Sequence, residues 1–300
     1  MATQIRKRIT APAIRAMKGA KRIGMLTAYD YPSAKAVDAA GADIILIGDS
    51  LGMVVLGYPD TLSVTMDDMI HHTRAAARGV TNALVVGDMP YLSYHVSIEE
   101  SVQNAGRFIQ AGAHAVKVEG GRTSRIRTIE AILDAEIPVM GHVGLTPQSV
   151  NALGGFKLQG KGVDEGRRLV DEAVALEQAG CFSMVLECVP SELAAFITER
   201  ISIPTIGIGA GPSCDGQVLV LHDLLGLYDG HTPKFVRRYA ELGDAMRAAI
   251  EHYLADVREG RFPNDATESF HAAGEEELRR LYGHTGPGAV IVEMPKAESK

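Results

Sequence analysis

Residues 98–121 read IEESVQNAGRFIQAGAHAVKVEGG and contain one complete structural repeat. Apolar residues three and four positions apart predict an amphipathic helix over Ile98–Ala111. Gly112 follows, and glycine commonly ends a helix in the left-handed conformation. The apolar run Ala115–Val118 then has the length of a buried strand and continues into a carboxylate and two glycines. The stretch therefore predicts a helix, an Ala-Gly turn and a strand in succession.

The same order recurs along the chain. Ala-Gly pairs end two further helical patterns, at residues 40–41 and 179–180. The strand-length runs are mostly continuous in hydrophobicity, which is typical of parallel strands buried on both faces. Eight such runs are present: Ile23–Thr27, Asp43–Gly48, Ala83–Gly87, Ala115–Val118, Val139–Gly141, Ser183–Leu186, Thr205–Ile208 and Val218–Leu221. They predict an α/β fold, a (β/α)₈ TIM barrel, with a weak or missing helix between the last two strands.

An open doubly wound sheet is the alternative arrangement of such units. Its phosphate fingerprint, GxGxxG, does not match the glycine-rich segment 207–212. We therefore expect three segments. These are an N-terminal helical segment (1–21) that caps the barrel, a catalytic barrel (22–262), and a C-terminal tail (263–300) with one helical pattern at Glu275–Tyr282.

The N-terminal segment has two interpretations. Residues 1–28 carry seven Lys and Arg and no acidic residue, a composition also found in mitochondrial transit peptides. Serine, the other mark of such peptides, is missing there. We therefore favour a short helix that plugs one end of the barrel, with its apolar side chains facing inward: Ile5, Ile9, Ile14 and Met17.

Composition excludes several classes of protein. The 300 residues are 46% hydrophobic and 22% charged, as in a globular domain. Three cysteines without a paired framework and no apolar run of about 18 residues predict a cytoplasmic protein with no membrane partner. A net charge of −7 and an aromatic content of 5% argue against a nucleic-acid partner. With membranes and nucleic acids excluded as partners, we expect small-molecule substrates.

Polar side chains end the apolar runs again and again. The carboxyl ends of barrel strands meet at one face, where active sites are built. Four of these polar residues are carboxylates, which would repel one another at the narrow mouth of a barrel. A bound cation relieves that repulsion. Oxygen ligands favour Mg²⁺ over Zn²⁺, and Mg²⁺ takes one or two carboxylates directly. The residues are Asp49, Asp88, Lys117, Glu119, His142 and Glu187.

Single residues of this set have other interpretations. Asp49 alone is also a candidate helix cap. Lys117 and Glu119, two apart on one strand, share a face and are also a candidate internal ion pair. His142 is a candidate ligand, a donor to the substrate or a core histidine, and we favour the donor. Partial burial would raise the pKa of Glu187 and suit it as a general base.

The long connection Leu145–Gly162 is a further candidate. Loops longer than about 12–15 residues inside compact domains are usually functional, and we expect this one to close over the site. Three weaker signals predict packing or shaping roles. His71 and His72 are adjacent on a helical pattern and face different ways, His222-Asp223 follows the eighth strand, and the cysteines, Cys188 included, are expected to pack.

Six motifs are similar to those of the ketopantoate hydroxymethyltransferase family, over about residues 22–262. They are Thr27-Ala-Tyr-Asp-Tyr31, Gly48-Asp-Ser-Leu-Gly-Met53, Lys117-Val-Glu-Gly-Gly121, Gly141-His-Val-Gly-Leu-Thr-Pro-Gln-Ser149, Leu186-Glu-Cys-Val-Pro190 and Gly207-Ile-Gly-Ala-Gly211. The resemblance implies a barrel of the phosphoenolpyruvate/pyruvate type. It also implies transfer of a hydroxymethyl unit from 5,10-methylenetetrahydrofolate to 3-methyl-2-oxobutanoate, giving 2-dehydropantoate in the first step of pantothenate synthesis.

The resemblance also implies roles for individual residues. Its members use a Mg²⁺-stabilised enolate and assemble as decamers, pentamers of dimers. The implied roles are direct Mg²⁺ ligation by Asp49 and Asp88, completion of the metal site by Glu119, binding of the 2-oxo acid by Ser50 and Lys117 with the two aspartates, and proton acceptance by Glu187. An aldolase or lyase of the same superfamily and a non-catalytic binding barrel are the alternatives. Folate dependence separates the first, and the presence of every expected ligand and base argues against the second.

Overall fold

The computed structural model describes residues 7–230, 232–271, 274 and 276. Eight parallel strands form one closed barrel, in which each strand pairs with the next and the last pairs with the first. The (β/α)₈ prediction is therefore confirmed. The strands are β1 Ile23–Thr27, β2 Ile44–Ile47, β3 Leu84–Asp88, β4 Ala115–Lys117, β5 Val139–Gly144, β6 Ser183–Glu187, β7 Thr205–Ile208 and β8 Gly216–Leu219.

Strand limits differ most from prediction at β5 and β8. β5 continues to Gly144, beyond the predicted end at Gly141. The prediction of a last strand at Val218–Leu221 is wrong at both ends, because β8 covers Gly216–Leu219. The Leu221 N–H instead donates to Thr27 Oγ1 at 2.9 Å and starts a helix. Residues 209–215 contain no helix between β7 and β8, as expected.

Helices connect the strands at the predicted places. The three Ala-Gly turns are confirmed, since Gly41, Gly112 and Gly180 have φ of 95°, 103° and 105°. Side chains with a Cβ rarely adopt this conformation. The helices are α1 Ala11–Arg15, α2 Tyr31–Ala40, α3 Leu51–Val54, α4 Met66–Ala77, α5 Ile98–Gln110, α6 Thr123–Asp134, α7 Val150–Leu153, α8 Val163–Ala179, α9 Ser191–Arg200, α10 Leu221–Leu224, α11 Leu242–Arg258 and α12 Asp265–Glu268.

The barrel interior is filled where the strands begin. Ile23, Ile44 and Leu84, near the starts of their strands, form a buried cluster there with Ile14 of α1, which is fully buried. Ile9 and Met17 are partly buried against this cluster, and Ile5 lies outside the described residues. Apolar packing closes this end, so the polar chemistry is left to the opposite end. That the whole segment 1–21 acts as a cap stays a prediction.

The chain divides into two compact units, residues 1–243 and 244–300. The first contains the barrel. In the second, the Tyr253 ring meets Phe262 edge-on with centroids 5.4 Å apart. The predicted limits of the barrel segment, 22 and 262, stay a prediction, and the helix expected at Glu275–Tyr282 lies outside the described residues. Among the described helices, none combines the length and hydrophobicity that a membrane crossing requires.

Candidate active site

The predicted polar residues all lie at the end of the barrel where the strands finish. The chain places them there because each follows, or ends, a buried apolar strand. Their positions are Asp49 and Ser50 just after β2, Asp88 at the end of β3, Lys117 at the end of β4 with Glu119 two residues on, His142 within β5 and Glu187 at the end of β6. Apart from Ser50 and Glu187, each is at most 5% exposed.

Lys117 lies at the centre of this group. Its Nζ is 2.8 Å from Asp88 Oδ1 and 3.9 Å from Glu119 Oε1. Register places Asp88 directly beside Lys117 across β3 and β4. Burial alone would lower the pKa of Lys117, but the Asp88 and Glu119 carboxylates outweigh burial and raise it. The ammonium is therefore charged and offsets part of the buried negative charge.

His142 connects this cation to Glu187. Its Nδ1 lies 3.3 Å from Lys117 Nζ, and because an ammonium only donates, Nδ1 accepts and Nε2 carries the proton. Burial, together with the Lys117 charge, holds the pKa of His142 well below its usual range, so the ring is neutral. Nε2 lies 3.4 Å from Glu187 Oε2. The ring therefore presents an N–H towards the candidate base.

The backbone around Glu187 is fixed by two unusual conformations. Gly144 has φ of 101°, and a Cβ there would lie 2.2 Å from Glu187 O. Cys188, which carries a side chain, has φ of 46°, a costly conformation that clusters at functional sites. The Leu145 N–H donates to Glu187 O at 2.8 Å. Together these contacts fix the end of β6.

Burial controls the protonation of the carboxyls. It raises the pKa of Glu187 to about 8, opposed by Lys117 and reinforced by Asp49 and Asp88. It raises the pKa of Asp88 to about 7 and that of Glu119 well above the ordinary value, and Lys117 opposes both shifts. The Glu187 side chain is 18% exposed, so a small molecule can reach it. These are the properties of a general base in a partly dry site.

Gln148 belongs to the site although sequence reasoning gave it no role. Its Nε2 donates to Asp49 Oδ2 and to Met89 O, both at 2.9 Å. Its backbone N–H donates to Glu119 Oε2 at 3.2 Å. The only available signal was its place in the motif at residues 141–149, because the contacts join segments far apart in the chain.

Two tyrosines hydrogen-bond to residues of the site, although sequence reasoning gave neither of them a role there. The Tyr29 hydroxyl lies 2.9 Å from Ser50 Oγ, and its ring lies 5.4 Å from the His222 ring. The Tyr94 hydroxyl donates to Gln148 Oε1 at 2.5 Å. The His71 and His72 rings on α4 lie edge to face with centroids 5.4 Å apart, and His72 Nδ1 lies 2.6 Å from Tyr29 O.

The connection Leu145–Gly162 is partly structured. It contains a 3₁₀ turn at Pro147–Ser149 and the short helix α7. Near its far end, the Gln159 N–H donates to Cys188 O at 2.9 Å. The Phe156 side chain between these points is 52% exposed. The connection is thus anchored to the site at both ends, and its closure stays a prediction.

The carboxylates fit a hard divalent cation. Glu119 Oε1 is buried and lacks a hydrogen-bond partner among the described residues, whereas Asp88 Oδ1 is paired with the Lys117 ammonium at 2.8 Å. Buried polar atoms without partners are rare and need an explanation such as an ion. Within the described ranges, no three His, Cys, Asp or Glu side chains already have the spacing of an ion's ligands.

Comparison with known proteins identifies the family of this chain. The family model described as ketopantoate hydroxymethyltransferase matches residues 8–265. The chain belongs to this family. One relative of this chain is the 3-methyl-2-oxobutanoate hydroxymethyltransferase of Syntrophomonas wolfei, which is 59% identical over 92% of this chain and 99% of the relative. The enzyme of the same name from Clostridium botulinum is 59% identical over 87% of this chain and 94% of its own.

Solved structures support the barrel fold of this chain. A phosphonopyruvate hydrolase in complex with oxalate and Mg²⁺ has a TM-score of 0.57 at 15% identity, covering 92% of this chain and 99% of that one. A 2,3-dimethylmalate lyase, a member of the PEP mutase/isocitrate lyase superfamily, has a TM-score of 0.56 at 17% identity, covering 90% and 94%. At such low identity the likeness concerns the barrel alone.

Proposed function

We propose that this chain transfers a hydroxymethyl unit from 5,10-methylenetetrahydrofolate to 3-methyl-2-oxobutanoate. With one water, the products are 2-dehydropantoate and tetrahydrofolate. The observation that carries the proposal is the pairing of a poised base with a carboxylate cluster in one site. Glu187, with a pKa raised to about 8 by burial, lies 3.4 Å from His142, whose other nitrogen lies 3.7 Å from Glu119 Oε1.

Mg²⁺ is the proposed cation, held directly by Asp49 and Asp88 and through water by Glu119. When bound, it would polarise the keto oxygen of the 2-oxo acid and so acidify the neighbouring C–H. The buried Glu119 Oε1, which lacks a hydrogen-bond partner among the described residues, supports this assignment. So does the chemistry of the three side chains, since Mg²⁺ prefers carboxylate oxygens.

Lys117 and Ser50 are the proposed partners of the substrate, together with Asp49 and Asp88. The Lys117 ammonium is a charged donor that suits the carboxylate of a 2-oxo acid. The Tyr29 hydroxyl hydrogen-bonds to the Ser50 hydroxyl and would orient it. His142 stays a proposed substrate donor, because its Nε2 has no hydrogen-bond partner among the described residues.

Glu187 is the proposed base. Its carboxylate takes the C3 proton of 3-methyl-2-oxobutanoate, and the electron pair of that bond becomes the enolate. One C–N bond of the folate methylene carbon breaks, its electron pair and a proton go to that nitrogen, and the enolate carbon forms a bond to the methylene carbon of the resulting iminium. Water then replaces the second nitrogen on this carbon, which gives the hydroxyl of 2-dehydropantoate and releases tetrahydrofolate with the proton on nitrogen. Lys117 holds the substrate carboxylate while this happens, and a closed Leu145–Gly162 connection would limit side reactions by excluding bulk water.

Deuterium exchange at C3 of 3-methyl-2-oxobutanoate, followed by NMR, tests the proposal. We expect exchange with Mg²⁺ and none with EDTA, and formation of 2-dehydropantoate only after 5,10-methylenetetrahydrofolate is added. Exchange without any folate-dependent product would favour a lyase of the same fold. Neither exchange nor product in folded protein would refute the proposed function.

Assembly and location are also part of the proposal. We expect a homodecamer, a pentamer of dimers, in the cytoplasm. The resemblance described above supports the decamer, and the three cysteines without a paired framework support the location. Sedimentation velocity measures the first, and a discrete species of ten chains is the expected result. A species of any other size would contradict it.

A further inference from the structure

Gln148 makes four hydrogen bonds at the centre of the site, and no role above accounts for them. It is 5% exposed and lies in the 3₁₀ turn that follows β5. Two bonds run from Nε2 to Asp49 Oδ2 and Met89 O, and a third reaches Oε1 from the Tyr94 hydroxyl. The backbone N–H makes the fourth, to Glu119 Oε2.

This pattern requires a glutamine. Both acceptors of Nε2 are oxygens that cannot donate, a carboxylate and a main-chain carbonyl, so the amide can have only one orientation. A glutamate side chain would place an oxygen against the Asp49 carboxylate. An asparagine side chain is one methylene too short to reach the three groups that bond the Gln148 amide. Buried amides with every polar atom paired are rigid.

The bonds hold two carboxylates by one oxygen each. Gln148 occupies Oδ2 of Asp49 and Oε2 of Glu119, and the opposite oxygen of Glu119, Oε1, lacks a hydrogen-bond partner among the described residues. Asp49 and Glu119 follow different strands, so their relative orientation is not set by one backbone segment. Gln148 bridges the two.

We infer that Gln148 is a positioning residue that orients the Asp49 and Glu119 carboxylates for the divalent cation. The inference rests on the proposed function, which supplies the cation. Partners that orient ligands from outside the coordination shell typically change metal affinity roughly 10- to 100-fold when removed. The Tyr94 hydroxyl supports the same amide, so its loss acts in the same direction with a smaller effect.

The test compares Gln148→Met with Gln159→Met, read out as the Mg²⁺ Kd by titration calorimetry. Gln159 is a matched control, because it is equally buried, lies in the same connection and donates from its side chain only to Lys157 O. We expect a Kd raised at least about 10-fold in the first variant, a smaller rise in Tyr94→Phe, and a change within twofold in the control. Circular dichroism in EDTA confirms folding.

Each outcome decides the inference. A Kd within twofold of wild type in folded Gln148→Met overturns it, as does an equal loss in Gln159→Met. If Gln148→Met does not fold, Tyr94→Phe decides, and a wild-type Kd there also overturns the inference. A wild-type protein that binds no Mg²⁺ would overturn the proposed metal site and the inference with it, whereas Mg²⁺ binding by wild type leaves the result to the variants.

Discussion

Glu187→Gln is the sharpest perturbation of the proposed chemistry. Gln is isosteric with Glu, so it keeps the shape of the side chain that lies 3.4 Å from His142 Nε2. The substitution therefore removes the base while leaving its neighbours in place. General bases typically contribute about 10²- to 10⁴-fold to a rate. We expect deuterium exchange at C3, measured by NMR at saturating Mg²⁺, to fall at least about 100-fold.

The pH profile strengthens this test. Burial raises the pKa of Glu187 to about 8, and only the deprotonated form accepts a proton. Wild-type exchange should therefore rise with pH from the acid side and level off no higher than about pH 8, since a bound cation lowers this pKa. The variant should lose this limb. Glu172→Gln on α8 is the matched control, a buried carboxylate paired with Arg168. Near-wild-type exchange in Glu187→Gln would refute the assignment.

Three further outcomes are expected. Asp88→Asn should raise the Mg²⁺ concentration needed for half-maximal exchange at least about 10-fold, because it removes a charged ligand; an unchanged Mg²⁺ titration argues against ligation. Tyr29→Phe should raise KM for the 2-oxo acid severalfold with little change in kcat, because it releases the Ser50 hydroxyl; steady-state kinetics with an unaltered KM would contradict this. In EDTA, the thermal stability of the protein should fall as pH rises towards 8. The folded-state pKa values of Asp88 and Glu187 are raised to about 7 and about 8, so the folded chain holds protons that the unfolded chain releases. The loss is about 1.4 kcal/mol per pH unit per group, and a flat profile would show that these shifts are absent.

The sequence predicted those parts of the molecule that depend on local patterns. Continuous apolar runs and Ala-Gly turns identified the barrel, because buried parallel strands leave a strong signal. Asp88 and Glu187 were found because each ends such a run, and all strand ends meet at one face. The error at β8 has a local cause. Leu221 continues an apolar run, but its N–H bonds Thr27, which lies 194 residues earlier.

Contacts between distant segments left no such signal. Gln148 lies 99 positions from Asp49, and an amide in a turn looks the same whether it faces solvent or a carboxylate. Tyr94 likewise follows β3 without any periodic pattern. The tautomer of His142 could not be predicted either, because it depends on Lys117 lying 3.3 Å from Nδ1. Residue type and position predicted which polar groups lie together in the site, whereas their orientation required the fold.

Charge explains why the proposed base and the proposed metal site lie close together. If ionised, Asp49, Asp88, Glu119 and Glu187 carry four negative charges, and Lys117 supplies one positive charge. Burial favours the neutral, protonated form of each carboxyl, and for this reason the pKa values of Asp88 and Glu187 rise to about 7 and about 8. A divalent cation and these protons neutralise the same charge, so each lowers the need for the other. Binding of the proposed cation would therefore favour deprotonation of Glu187 in the same event that would acidify the substrate. The proposed base would then be active mainly when the cation is bound.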